Sequence, residues 1–427
     1  MLNFFRRIFR SELLVNSGKL LTANVLAQVI AFLISPILSR LYSQEDFGLL
    51  NLFLSIGGVC TIIATADYQY AIALPKDEKK AVGVFHVGFI ILCVFSLVLF
   101  LVLPFSSAIV SLFRVPDFAN YLWMMPICVF SLGLWQLLNY WYARGKHFMQ
   151  IGTYQLLQGT LSSGGKLGLG FGNVSGGMLW SVAFAPLLSV VGSMLIAGKR
   201  VLASLFNFDR KIFTEAAHEY RNFPLYSQPK SLLNNLSSNM PTLLLIPAFG
   251  EYQIGLWAMG ITLAFRPINI IASSIYQVMF QHIASSVSNR KTIMAVLRKF
   301  VIRCMLIVVP IFAVLYFFLP ALAVWFLGDG WELTGEYIRI MLPWLFMVLI
   351  TTSINFLPDV FGRQRTMLWI EIAYFVIRLL ALLAGIYFSD FVMALRLYLY
   401  ASAVVLFIEL LWFHHLVINY EKSIGWS

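Results

Sequence analysis

The sequence predicts an all-α polytopic membrane protein, with about twelve transmembrane helices in two six-helix bundles around a central cavity. Three observations predict it: a strongly apolar composition, a one-sided placement of basic residues, and an internal repeat of polar positions. Of the 427 residues, 60% are hydrophobic and 11% are charged, and the mean hydropathy is +0.83. A water-soluble domain of this length does not carry such an apolar surplus. Apolar segments of about 20 residues recur along the chain, each long enough as a helix to cross roughly 30 Å of hydrocarbon. The short alternating segments of a transmembrane barrel are absent.

The helices are expected at 18–39, 46–66, 82–104, 120–140, 150–170, 177–197, 229–248, 253–276, 298–320, 336–356, 366–388 and 394–416. The first follows Arg6, Arg7 and Arg10 without a small-residue cleavage site, so it reads as a retained helix. Lys and Arg then fix the orientation. With the N-terminus inside, about 22 of the 30 basic residues fall in inside segments, and only Arg40 and Arg114 lie in outside loops. Both termini are therefore expected in the cytoplasm. The outside loops, the longest at 105–119 and 321–335, leave no room for an external catalytic domain.

The repeat lies at Ser231, Asn235, Ser238 and Thr242, whose steps of 4, 3 and 4 recur about 207 residues earlier at Asn24, Gln28, Ala31 and Ser35. Each set traces one helix face. The longest inside connection, 198–228, separates the copies, giving halves 1–210 and 211–427. Six crossings per half make the copies point the same way, about an axis along the membrane normal. Within the connection, 213–222 has the pattern of a surface amphipathic helix.

Six basic residues remain inside apolar segments: Lys166, Arg266, Arg303, Arg339, Arg378 and Arg396. At mid-membrane each costs roughly 2.5 to 3.5 kcal/mol, less near an end where the side chain snorkels. Arg303, Arg339 and Arg396 lie near helix ends, which accounts for them. Lys166, Arg266 and Arg378 are deeper and need carboxylate partners or water. The membrane carboxylates are few: Asp67, Glu371 and Glu409. Glu371 and Arg378 are seven apart on one helix face, and Glu409 can reach either from a neighbouring helix, so structural ion pairing competes with function at Arg378. Three deep cations not all neutralised fit a hydrated cavity of positive potential that attracts an anionic ligand. Arginine suits phosphate because its fork holds two oxygens.

Three polar stripes point the same way. Asn24, Gln28, Ser35 and Ser39 mark helix 1; Gln155, Gln158, Ser162 and Lys166 mark helix 5; Asn235, Ser238, Asn239 and Thr242 mark helix 7. Interhelical hydrogen bonding explains any one of them; three aligned stripes favour a cavity lining. Glycines 164, 165, 168, 170 and 172 and prolines 36, 241 and 267 serve either close packing or bending.

No nucleophile elbow, P-loop or metal spacing occurs, so no catalytic residue and no metal site is expected. His414 and His415 read as a solvated helix end. The four cysteines, Cys60, Cys93, Cys128 and Cys304, lie in apolar segments as small hydrophobes. The net charge of +11 is spread over short loops rather than gathered in a basic domain, so it reports topology and not nucleic acid.

The opening LLTANVLAQVIAFLISPILSRLYSQEDFGLLNLFLSI, then YQYAIALPKDEKKA, resembles the start of bacterial Wzx-type oligosaccharide flippases. YRNFPLYSQPKSLLNNLSSNMPTLLLIPAFGEYQIGLWAMG opens the second half in the same way. The resemblance implies membership of the MOP superfamily, with the MATE exporters and lipid II flippases: two six-helix bundles around a cavity that opens alternately to each side of the bacterial inner membrane. It implies movement of undecaprenyl-diphosphate-linked oligosaccharide for O-antigen, capsule or exopolysaccharide assembly, in company with a polysaccharide polymerase and a chain-length regulator. It further implies that Arg266 leads the diphosphate contacts, followed by Lys166 and Arg378, while Asn24, Gln28, Asn235, Asn239, Gln155 and Gln158 line the cavity for sugar or phosphate. No cofactor is expected beyond a coupling H+ or Na+, for which Asp67, Glu371 and Glu409 are the candidates. The competing reading is a MATE-like exporter of small drugs. Such substrates favour an acidic or aromatic cavity, against which the three cations weigh.

Overall fold

A computed structural model describes residues 29–30 and 32–425. Among the described residues the chain is helical throughout, with no strand. We number the long helices α1 (Phe32–Leu41), α2 (Gln44–Thr65), α3 (Glu78–Val102), α4 (Met125–Arg144), α5 (Phe148–Phe171) and α6 (Gly177–Leu202). A linker helix, Arg210–Glu219, precedes α7 (Gln228–Gly260), α8 (Arg266–Ser288), α9 (Met294–Leu327), α10 (Glu332–Ile354), α11 (Gln364–Tyr387) and α12 (Phe391–Ser423). Nine helical runs among the described residues are long and apolar enough to cross a membrane, and the run Arg210–Ser288 holds both α7 and α8. Helix α5 is not among the nine; Gln155, Gln158, Ser162 and Lys166 dilute its apolar character.

By its contacts the chain divides into two units, Met1–Glu251 and Tyr252–Ser427. In the first unit α2 starts on a capping box: the Ser43 side chain accepts from Asp46 N–H at 3.3 Å, and the Asp46 carboxylate accepts from Ser43 N–H at 3.0 Å. It ends on two successive left-handed residues, Ala66 at φ 48° and Asp67 at φ 58°. The linker helix confirms the amphipathic pattern read at 213–222, although it begins three residues earlier. Asp209 caps its start, with Lys211 N–H donating at 2.8 Å, and Ile212 and Ala216 face Gly83 of α3.

Helix α7 is one assigned helix with a break inside it. Gly250 adopts φ 81° and ψ 173°, extended in the mirror-image sense that glycine alone takes readily. The expected division into helices at 229–248 and 253–276 falls on this residue. After Gly250 the chain runs helically through a π-turn at Ile261–Phe265 into α8.

The second unit extends its helices further than hydropathy marks them. Helix α8 continues to Ser288 and α9 begins at Met294, so the expected inside loop at 277–297 is mostly helix. The reason is a separate apolar cluster: Met279, Ile283, Ile293, Leu297, Phe356, Leu357, Phe413 and Leu416 pack together at that end of the unit. Glu421 fastens the turn, its carboxylate accepting from Ile293 and Met294 N–H at 2.9 and 2.8 Å.

Candidate functional site

The deep basic residues meet quite different fates. Arg266 begins α8 directly after the π-turn, with Pro267 next to it, and its side chain is exposed. A π-turn inserts one residue into the helical ladder and re-aims the side chains beyond it, and such insertions are frequent at functional sites. No carboxylate pairs with Arg266; the ion pairs among the described residues are Lys80–Glu219 and Arg339–Glu336. A guanidinium placed this way keeps its donor fork available to an anion.

Arg378 is the opposite case. It is buried at 7% exposure, with its guanidinium carbon 4.8 Å from the Tyr374 ring centre and 4.5 Å from that of Tyr398. Two aromatic faces stabilise the cation. Tyr374 stands one turn before Arg378, a spacing visible in the sequence; Tyr398 comes from α12 and was not. Arg339 pairs with Glu336 at 2.6 Å and lies 4.5 Å from the Tyr316 ring, as its place near a helix end suggests. Arg303 and Arg396 are exposed; Arg396 lies near the start of α12, whereas the early start of α9 at Met294 puts Arg303 more than two turns inside its helix rather than near the end expected from hydropathy. Lys166 is half-buried on α5, and its carbonyl accepts from the Tyr42 hydroxyl at 2.7 Å.

The three stripes also part company. Asn24 and Gln28 lie outside the described residues. Ser39 on α1 donates to the Pro36 carbonyl of its own helix at 3.0 Å. On α5 the carbonyl oxygens of Gln155 and Gln158 are buried with no hydrogen-bond partner among the described residues. Buried polar atoms are nearly always satisfied, so two orphan acceptors one turn apart mark a place where a donor belongs.

The α7 stripe, in contrast, is engaged. It faces α2 in antiparallel register and forms a ladder of side-chain hydrogen bonds. Asn51 donates from Nδ2 to Thr242 at 2.7 Å. Ser55 donates to Asn239 Oδ1 at 3.0 Å, and Asn239 Nδ2 donates to the Asn235 side chain at 3.1 Å. Ser227 and Ser231 donate to Asp67 Oδ2 at 2.8 and 2.6 Å, and Gln69 Nε2 donates to Asp67 Oδ1 at 3.2 Å. The open cavity lining expected of Asn235 and Asn239 is thus replaced, in this conformation, by an interhelical seam. Asn51 and Ser55 went unnoticed in the sequence because α2 reads as a plain apolar crossing. Their spacing of four, continued at Gly58, was the available signal. Interhelical hydrogen bonds in membranes average about 0.6 kcal/mol and reach about 1.7 kcal/mol.

Asp67 is buried at 1% exposure, satisfied by the three donors above. Glu409 is buried at 5% exposure on α12, without a hydrogen-bond or ion-pair partner among the described residues. Glu371 on α11 is exposed and near enough to Glu409 for the two charges to repel. Among the described residues no cluster of His, Cys, Asp or Glu suits a metal ion.

Among the described residues the chain is all-helical, with several helices long and apolar enough to cross a membrane, and solved structures share its fold. The chain is similar to an inward-facing multidrug resistance MATE family transporter of the MOP superfamily, at TM-score 0.66 and 16% identity, covering 94% of this chain and 96% of that one. It is similar to the lipid II flippase MurJ in an inward closed conformation, at TM-score 0.71 and 12% identity, covering 96% and 91%. A MOP superfamily transporter from Pyrococcus furiosus matches at TM-score 0.52 and 15% identity, covering 95% and 96%. At these identities the likeness is one of fold. No curated protein matches the chain. The sequence model of the polysaccharide biosynthesis proteins matches residues 37–335, well over half of the chain, and the chain belongs to that family.

Proposed function

We propose that this protein is a flippase that carries undecaprenyl-diphosphate-linked oligosaccharide across the bacterial inner membrane by alternating access, as a transporter rather than an enzyme, for O-antigen, capsule or exopolysaccharide assembly. The family and the MOP fold support the class. The observation that carries the substrate is Arg266: an exposed arginine with no carboxylate partner among the described residues, on a membrane helix distorted just before it. A diphosphate and a sugar head cannot cross hydrocarbon unaided, whereas the polyprenyl tail stays in lipid. A cationic, hydrogen-bonding path solves the first problem and leaves the second alone.

In this reading Arg266 holds the diphosphate and Lys166 assists. Arg378, held between two tyrosines, adds to the positive field. Gln155 and Gln158 accept from sugar hydroxyls, and Asn24, Gln28, Asn235 and Asn239 contribute when accessible. The halves 1–210 and 211–427 are the repeat units, both termini are cytoplasmic, and a polymerase and a chain-length regulator take the product. Transport draws on an H+ or Na+ gradient through Asp67, Glu371 or Glu409.

The test is complementation in a strain lacking such a flippase, scoring surface polysaccharide for the native protein and for Arg266→Ala at matched membrane levels. Rescue by the native protein and its loss in the variant support the mechanism. Rescue by both removes Arg266 from the site. Failure of the native protein across several hosts, with drug resistance gained instead, points to a small-molecule exporter.

A further inference from the structure

We propose that the polar seam between α2 and α7 is an exchangeable gate, in which Asn51, Ser55, Asn239 and Thr242 release one another and bind the hydroxyl and amide groups of the glycan. The glycan in this proposal rests on the flippase reading; the opening of the seam does not.

The seam is polar along its length. Its rungs are Asn51 to Thr242, Ser55 to Asn239, and Ser227 and Ser231 to Asp67. The Asn235 side chain lies against Gly58 of α2, where an added Cβ would sit 3.4 Å from its amide nitrogen. Amide and hydroxyl groups each carry donor and acceptor capacity. A sugar offers the same two functions in the same neutral form. Replacing a side-chain partner by a sugar partner therefore exchanges like for like, and no buried polar group is stranded during the change. A seam of interlocked leucines offers no such exchange.

The local backbone is built for the motion. A π-turn, Phe223–Ser227, precedes the seam segment of α7, and Gly250, in its mirror-image conformation, lies beyond it. Pro241 and Pro247 lie inside the segment and remove two backbone donors from its ladder. The segment between the π-turn and Gly250 is thus a short rod with a compliant joint at each end. At its far end Gly48 of α2 touches the backbone of Glu251, a close pivot that only glycine allows. At its near end Asp67 holds two serine hydroxyls, one from the π-turn and one from the rod, and so latches the joint itself.

Two experiments test this on the full-length protein in lipid. In a background without Cys60, Cys93, Cys128 and Cys304, spin labels at Leu54→Cys and Ser238→Cys, both exposed positions beside the seam, report the α2–α7 separation. N-acetylglucosaminyl-diphosphate-undecaprenol in the vesicles is the probe. A second, longer distance that grows with the probe is expected. Alongside, an apolar seam, Asn51→Leu and Thr242→Val with Ser55→Ala and Asn239→Leu, keeps the shapes and removes the exchangeable groups. It should retain the melting temperature and flip the probe about tenfold more slowly. If that variant does not fold, Asn51→Cys with Thr242→Cys replaces it, and oxidation should arrest flipping until dithiothreitol restores it. One unchanging short distance overturns the gate, as does unimpaired flipping by the apolar or the oxidised seam. Should the native protein flip no lipid-linked sugar, the transport reading fails by itself, and the label distances still decide whether the seam opens.

Discussion

Arg266 and Arg378 show how differently one residue type is accommodated in apolar helices: the first is exposed after a π-turn, the second is buried against two tyrosine rings. Their sequence contexts are alike, and only their surroundings separate them. Replacing Arg266 by alanine should leave folding intact, because no partner loses its hydrogen bond. Flipping should fall by roughly 10- to 100-fold, since hydrogen bonds to charged groups contribute about 1.5 to 3 kcal/mol. Arg266→Lys should recover only part, for an ammonium lacks the bidentate fork. Arg378→Met should behave in the reverse manner. It empties the space between Tyr374 and Tyr398 of its cation, so the melting temperature in detergent should drop, while flipping per folded molecule changes by about twofold or less. A cation stacked between desolvated rings contributes about 2 kcal/mol. Size-exclusion chromatography and a thermal melt, read beside the transport assay, separate the two outcomes. At the same scale, Ala66 holds φ 48° at the end of α2, a conformation costing an L-residue about 1 to 2 kcal/mol. Ala66→Gly should therefore raise the melting temperature.

Among the elements, those with simple causes were legible in advance. Apolar length placed the helices to within a few residues at α10 and α11. It missed the extension of α8 and α9, because the cluster around Ile283, Ile293 and Phe413 draws on residues more than a hundred positions apart. The site was legible as a set of polar positions and not as a set of partners. Periodicity marks the face on which Asn235 and Asn239 lie; whether that face meets water or Ser55 depends on what α2 brings opposite. The same limit hid the Tyr398 contact of Arg378. The glycine at position 48 has a physical reason that appears only in three dimensions. A Cβ there would lie 2.0 Å from the Glu251 carbonyl oxygen and 2.7 Å from its carbon, both backbone atoms that cannot rotate away. Gly48→Ala should cost about 1 to 3 kcal/mol, seen as a lower melting temperature of the full-length protein.

For the molecule as a whole, orientation hangs on α5. Hydropathy alone does not qualify Phe148–Phe171 as a crossing, yet everything after it inverts if it fails to cross. Two observations argue that it does. Its helix is 24 residues long, about 36 Å at 1.5 Å per residue, enough to span the hydrocarbon. The basic residues on either side are consistent with it: Arg144 and Lys146 precede α5 in the sequence and Lys199 and Arg200 follow it by one further helix, and the positive-inside rule puts both groups on one side when α5 and α6 both cross. The polar stripe that lowers its hydropathy is then tolerated because neighbouring helices cover it, leaving the buried Gln155 and Gln158 oxygens awaiting a donor. Single cysteines in a cysteine-free background check this. Asn173→Cys, in the turn between α5 and α6, should react with a membrane-impermeant maleimide from outside intact cells, as should Ser111→Cys and Ser389→Cys. Asn289→Cys, in the turn between α8 and α9, should react only after permeabilisation. Labelling of Asn173→Cys from inside, with Ser111→Cys still outside, would mean that α5 lies within one face of the bilayer. The positive-inside assignment would then be reversed for every later helix.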